Sequence, residues 1–126
     1  MTYRYYNPNP AGKHVIDCTI RALSKIFRQD WETTFVQLCL QALTMYDMPS
    51  SNAVWGAYLY TRGVRRYGVK TNCPDCYSVH DFCIDHPIGE YVVATSGHVI
   101  AVIDGDYYDT SDSGYEIPIY YWRKEK

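Results

Sequence analysis

Helical apolar spacing in the first half of the chain and strand-like spacing in the second predict an α+β fold, with N-terminal helices packed on a C-terminal antiparallel β-sheet. Two observations carry this. Apolar residues recur at helical intervals up to Gly63, and after one short helical segment at 76–85 that pattern does not return. From Tyr91 onward the chain is rich in β-branched and aromatic residues, and Asp104-Gly105 sits between two such runs as a strong hairpin signal. At 126 residues, a single domain over 1–126 is expected, long enough to enclose one core without disulfides.

The first 12 residues read as an extended arm, because the prolines and the glycine of Asn7-Pro8-Asn9-Pro10-Ala11-Gly12 exclude a regular helix. A first helix follows from Cys18 to about Arg28 on Leu23, Ile26 and Phe27, with Asp17 placed to cap its first amides. Asp30 caps a second helix from Trp31 to about Tyr46, whose inner face is read as Phe35, Leu38, Cys39, Ala42 and Leu43. Pro49-Ser50-Ser51 breaks the chain, and Val54, Trp55, Ala57, Tyr58 and Leu59 predict a third helix ending before Gly63. An extended piece, Val64 to Val69, comes next. Cys76 to Asp85 is expected as a short helix turning Val79, Phe82 and Cys83 inward, stopped by His86-Pro87-Ile88-Gly89. Strands are expected at Tyr91-Val92-Val93-Ala94, at 98–103 and at 107–110, and a last one from roughly Tyr115 to Trp122 completes an antiparallel meander.

Composition limits the function. Twelve basic against fourteen acidic residues give a net charge of −2, which offers polyanions little attraction, so no nucleic acid partner is expected. No stretch in Met1 to Pro10 resembles a signal peptide and no window approaches membrane-spanning length, so the reading is cytoplasmic with no membrane partner. Fourteen tyrosines and three tryptophans suit either a core or the rim of a binding cleft. The five cysteines are an odd set, read as reduced thiols that are core, metal-binding or catalytic.

A thiol attacks carbonyl carbon as thiolate, and a helix N-terminus or a neighbouring imidazolium favours that form. Cys18 opens the first helix, which supplies one of these. Asp17, next to it, opposes thiolate formation unless its carboxylate turns away as a cap. His98, opening the strand before the hairpin, is the histidine best fixed to act as base. Counting back across Asp104-Gly105 pairs Ile103 with Asp106 and brings 109–112 opposite the start of the His98 strand. Asp109, inside its strand, is the preferred orienting carboxylate over Asp112, which lies in the looser Ser111-Asp112-Ser113-Gly114 connection.

The remaining candidates have plainer readings. Cys39 fits a core residue, and His14 and His86 fit exposed loops. Cys73, Cys76, His80 and Cys83 have a spacing that could close a tetrahedral zinc site, although Val79, Phe82 and Cys83 also make an ordinary core stripe. Arg62, Arg65, Arg66 and Lys70, interleaved with Tyr58, Tyr60 and Tyr67, are read as a solvated basic loop. Tyr115, Tyr120 and Tyr121 could cover the core or form a dimer edge.

The segments Asp17-Cys18-Thr19-Ile20-Arg21-Ala22-Leu23, Gly97-His98-Val99-Ile100-Ala101-Val102 and Gly105-Asp106-Tyr107-Tyr108-Asp109, in this order, resemble the papain-like cysteine peptidases. The resemblance is nearest to small bacterial and phage members such as cell-wall amidopeptidases and bacteriocin-processing peptidases, and it covers the order of elements from about 12 to 122. It implies a papain-like fold with Cys18 as nucleophile, His98 as base and Asp109 as orienting group. The family's oxyanion glutamine, six residues ahead of the cysteine, is replaced here by Gly12, which leaves the Cys18 amide with Asn7 or Asn9 as candidate donors. The expected function is a cysteine hydrolase acting on a peptide, isopeptide or related amide of a peptide or protein substrate, with no cofactor. The alternatives are a catalytically silent binding module of the same fold, or a zinc-stabilised interaction domain.

Overall fold

The computed structural model describes residues 2–125. Among them are four α-helices and one six-stranded mixed sheet, an α+β architecture. In chain order the elements are β1 (Tyr3–Tyr5), α1 (Cys18–Phe27), α2 (Trp31–Met45), α3 (Asn52–Thr61), β2 (Val64–Gly68), a 3-10 turn (Pro74–Cys76), α4 (Val79–Asp85), β3 (Glu90–Thr95), β4 (His98–Ile103), β5 (Asp106–Asp109) and β6 (Tyr120–Lys124).

The sheet order is β1-β5-β4-β3-β6-β2. The hairpin at Asp104-Gly105 forms as expected: both residues take positive φ, 48° and 80°, and Ile103 pairs with Asp106. The rest of the meander is corrected. β6 begins at Tyr120, not near Tyr115, and it pairs with β3, not with β5. Pro118 lacks an amide donor, and 110–119 is spent on turns around Ser113 and Gly114.

The sheet is also not purely antiparallel. Tyr3, Arg4 and Tyr5 of the N-terminal arm add a parallel strand beside Tyr107, Tyr108 and Asp109, fixed at its ends by Tyr107 N–H to Thr2 O and Tyr6 N–H to Asp109 O. This covers an edge of β5 that would otherwise present unpaired backbone groups.

Side chains of β3 and β4 alternate between two buried clusters. Val92, Ala94, Val99 and Ala101 meet Leu23 and Ile26 of α1, Leu38 of α2 and Trp55 of α3. On the opposite face Val93, Ile100 and Val102 meet Val79, Phe82 and Cys83 of α4. The helical layer expected on one face is therefore joined by α4 on the other, which explains why these strands are apolar throughout.

Local chemistry moves three boundaries and contacts. Asp17 precedes α1, but its side chain makes no cap hydrogen bond. Asp30 does cap α2, accepting from Thr33 N–H. The expected 76–85 helix is split, because Ser78 and Asp81 form a reciprocal capping box that starts α4 at Val79. The inner face of α2 is narrower than its spacing suggests. Leu38 and Ala42 are buried, whereas Phe35 and Leu43 are 41% and 67% exposed, and Cys39 is half-buried instead of core.

The basic cluster is not a loop, since Arg65 and Arg66 lie on β2, and it is largely occupied by the protein's own rings. The guanidinium groups of Arg62, Arg65 and Arg66 lie 3.5, 4.1 and 4.0 Å from the ring centres of Tyr58, Tyr60 and Tyr120. Tyr120 and Tyr121 are half-buried, stacked against Trp55 and packed on Phe82 respectively, while Tyr115 is exposed. None of the helices among the described residues is long and apolar enough to cross a membrane.

Candidate active site

Cys18 is the first residue of α1, and His98 is the first residue of β4, against which α1 packs. Two adjacent elements thus hold the sulfur and the ring. His98 and the backbone N–H of Val99 both act on the Cys18 thiol to favour its ionised form. His98 Nε2 lies 2.6 Å from Asp109 Oδ2, so Nδ1 is the ring nitrogen left for Cys18.

Asp109 is the carboxylate brought to His98, as expected from the hairpin register. It is fully buried, and besides His98 it accepts from Ser113 Oγ at 2.7 Å and from the Thr110 amide at 2.8 Å. Asp112 turns elsewhere: it accepts from the Tyr107 hydroxyl and from the Gly114 amide.

The electrostatics follow from these contacts. Burial works against the Cys18 thiolate, but the hydrogen bond and charge of His98, the Val99 amide and the positive charge of Arg21 outweigh it, and the thiol pKa falls below its ordinary value. The hydrogen bond to Asp109, followed by that to Cys18, raises His98 to about 10 against the cost of burial. Asp109 is depressed as a carboxylate, since His98 and Ser113 more than offset its own desolvation. Both shifts run in the direction of a thiolate-imidazolium pair. Cys83 is the contrast: burial raises it to about 12, which makes it an inert core thiol.

Arg21 belongs to this site, and the sequence reading passed over it. It is 5% exposed, and its guanidinium bridges Asp17 Oδ1 at 2.6 Å and Asp109 Oδ1 at 2.9 Å. Trp31 Nε1 donates to the other oxygen of Asp17 at 2.8 Å. The carboxylate beside Cys18 is therefore neutralised by two donors, while the first amides of α1 have no side-chain cap where Cys18 stands. The i,i+4 spacing of Asp17 and Arg21 permits their contact but does not show that it is buried.

Cys18 and His98 open onto a cleft of about 380 Å³. Its walls are mostly apolar, from Ile20, Phe35, Trp55, Val99 and Tyr120, with Asn52 as a polar group whose Oδ1 is held by Trp55 Nε1 at 3.0 Å. A partly open, largely apolar cleft with a few convergent polar groups has the form of a ligand site.

Several expected partners are not brought there. Asn7 and Asn9 are engaged within their own loop: Asn7 Nδ2 donates to Lys13 O, and Asn9 Oδ1 accepts from the Ala11 and Lys13 amides. Neither residue lines the cleft that holds Cys18, so neither is placed there as an oxyanion donor. The zinc reading is corrected as well. Cys73 and Cys76 are joined in a disulfide instead of standing as reduced thiols, His80 bonds the Tyr107 hydroxyl at 2.7 Å, and Cys83 is buried in the core. Among the described residues no three metal-ligating side chains converge. Gly114 leaves no room for a side chain beside this His80–Tyr107 contact, since a Cβ there would lie 2.2 Å from His80 Nε2. His86 is half-buried, stacked 3.9 Å from Phe82, and His14 is exposed.

The role of Asp109 is open to measurement. Replacing Asp109 with Asn removes the main cause of the raised His98 value, so the imidazole midpoint, followed by NMR, should fall from about 10 toward the ordinary 6.5. An unchanged midpoint would remove Asp109 from the site. Compared with family models, curated proteins and solved structures, the chain matches none of them.

Proposed function

We propose that this protein is a papain-like cysteine hydrolase acting on a peptide, isopeptide or related amide bond. The observation that carries the reading is the convergence of Cys18, His98 and Asp109, distant in sequence, with Cys18 and His98 lining one open cleft, Asp109 buried behind the ring, and the sulfur and the ring each shifted toward the charged form.

The geometry supports the following sequence. The Cys18 thiolate attacks the carbonyl carbon, and the developing oxyanion is met by the Cys18 amide at the uncapped start of α1. As the C–N bond breaks, His98 gives its proton to the leaving amine, and a thioester remains on Cys18. His98, now neutral, takes a proton from water, whose oxygen attacks the thioester carbonyl. The carboxylic acid leaves and the thiolate-imidazolium pair is restored. Asp109 fixes the ring so that one nitrogen faces the sulfur throughout, and Arg21 fixes Asp109.

The covalent step can be trapped directly. With an N-acyl amino acid p-nitrophenyl ester, mass spectrometry should find one hydroxylamine-labile acyl group, on Cys18, and none in Cys18→Ala. If Cys18 stays free of acyl groups under conditions where it is readily alkylated, the acyl-transfer step is wrong.

A further inference from the structure

The outer side of α2 carries an uncovered apolar stripe. Val36, Leu40 and Leu43 are 53%, 57% and 67% exposed, Cys39 is half-buried between the stripe and the core, and Glu32 is the one charged residue of the helix. A helix exposed on one side normally places charge there. The stripe also has a defined end: Phe35, one residue from Val36 and one turn from Cys39, is 41% exposed and lines the cleft that holds Cys18. Ile16, wholly exposed, stands at the same cleft.

From this continuity we infer that α2 is a docking surface for an apolar, extended segment of the polypeptide whose bond is held in the cleft. The inference rests on the hydrolase reading for what happens at Cys18, but not for the binding itself. The size of the stripe separates this occupant from a second copy of the chain. A helix of 15 residues is about 22 Å long and about 10 Å wide, or roughly 200 Å² of face, far below the ~800 Å² per partner of a stable dimer. A segment of about six extended residues spans the same length. The absence of charge on the stripe selects apolar side chains, because a charged one would lose its hydration there without gaining a partner.

The test uses two fluorescein-labelled dodecapeptides, one with leucine at alternate positions and one with serine in their place, titrated against the intact protein by anisotropy. The leucine peptide should bind at least tenfold more tightly, and when bound it should slow the reaction of Cys18 with iodoacetamide. Leu40→Glu combined with Leu43→Glu should weaken its binding at least tenfold while leaving the iodoacetamide rate of the free protein unchanged, which shows the fold to be intact. Equal binding of the two peptides, or binding indifferent to the glutamates, overturns the docking surface. So does a dimer by sedimentation that the glutamates dissociate, since it assigns the stripe to a second copy. If leucine-peptide binding persists while Cys18 shows no dependence on His98, the hydrolase reading fails and the docking surface stands.

Discussion

At pH 6, iodoacetamide should modify Cys18 ahead of Cys39 and Cys83, and replacing His98 with Ala should slow that reaction at least ~10-fold. Without His98, burial of Cys18 is left with little to oppose it, and the sulfur returns to the protonated form that dominates for an ordinary thiol of pKa 9.0. At this pH only about one in a thousand ordinary thiols is ionised, so the thiolate fraction falls. The more basic sulfur is intrinsically more nucleophilic, which recovers part of the loss and sets the smaller net figure. Hydrolysis should suffer more, by about a thousandfold or beyond, because the same substitution also removes the proton donor for the leaving amine.

The pH dependence has a defined sign. Reactivity rises as pH climbs through the depressed Cys18 value, since the thiolate forms there. Hydrolysis declines again as His98 loses its proton near 10, whereas alkylation, which needs no proton donor, does not. An alkylation rate insensitive to His98→Ala would end the claim that the two residues act as a unit.

Replacing Arg21 with Met should destabilise the protein by about 3–5 kcal/mol at pH 7, measured by urea unfolding. Asp17 and Asp109 are 4% and 0% exposed, and Arg21 is the cation between them. Removing it leaves two buried carboxylates facing each other, with Trp31, Ser113 and the imidazolium as partial compensation. The loss should shrink toward pH 4, because Asp109, with Arg21 gone, then takes up a proton more readily in the folded protein. A cost below about 1 kcal/mol, or one independent of pH, would show that the guanidinium is not what holds the two acids.

The legible part of the site was the part fixed by short-range rules. Asp104-Gly105 demands a two-residue hairpin, and a two-residue hairpin fixes the register, so counting residues placed Asp109 opposite the start of β4. Cys18 was legible because a helix start is marked by its neighbours. Arg21 was not, since sequence spacing does not reveal which polar residue of a helix is turned inward. β1 escaped notice for a different reason. Three residues with no buried side chain carry no periodicity, and their place beside β5 depends on an edge that exists only once the sheet is formed. On α2 the spacing identified an apolar side but not whether anything covers it, and half of that side faces outward. Cys73 and Cys76 could be thiols, ligands or a disulfide at the same spacing, and spacing alone does not choose.

The parallel pairing of Tyr3 with Tyr107 has a consequence for how the molecule is made. One margin of the sheet cannot close until residues 107–109 have left the ribosome, and such distant pairings are slow to form. His98 and Asp109 also emerge long after Cys18, so a nascent chain carries its sulfur without the groups that ionise it. On the proposed reading the thiol is therefore born dormant and is armed by completion of the fold, which spares a half-made chain from modifying its surroundings or itself.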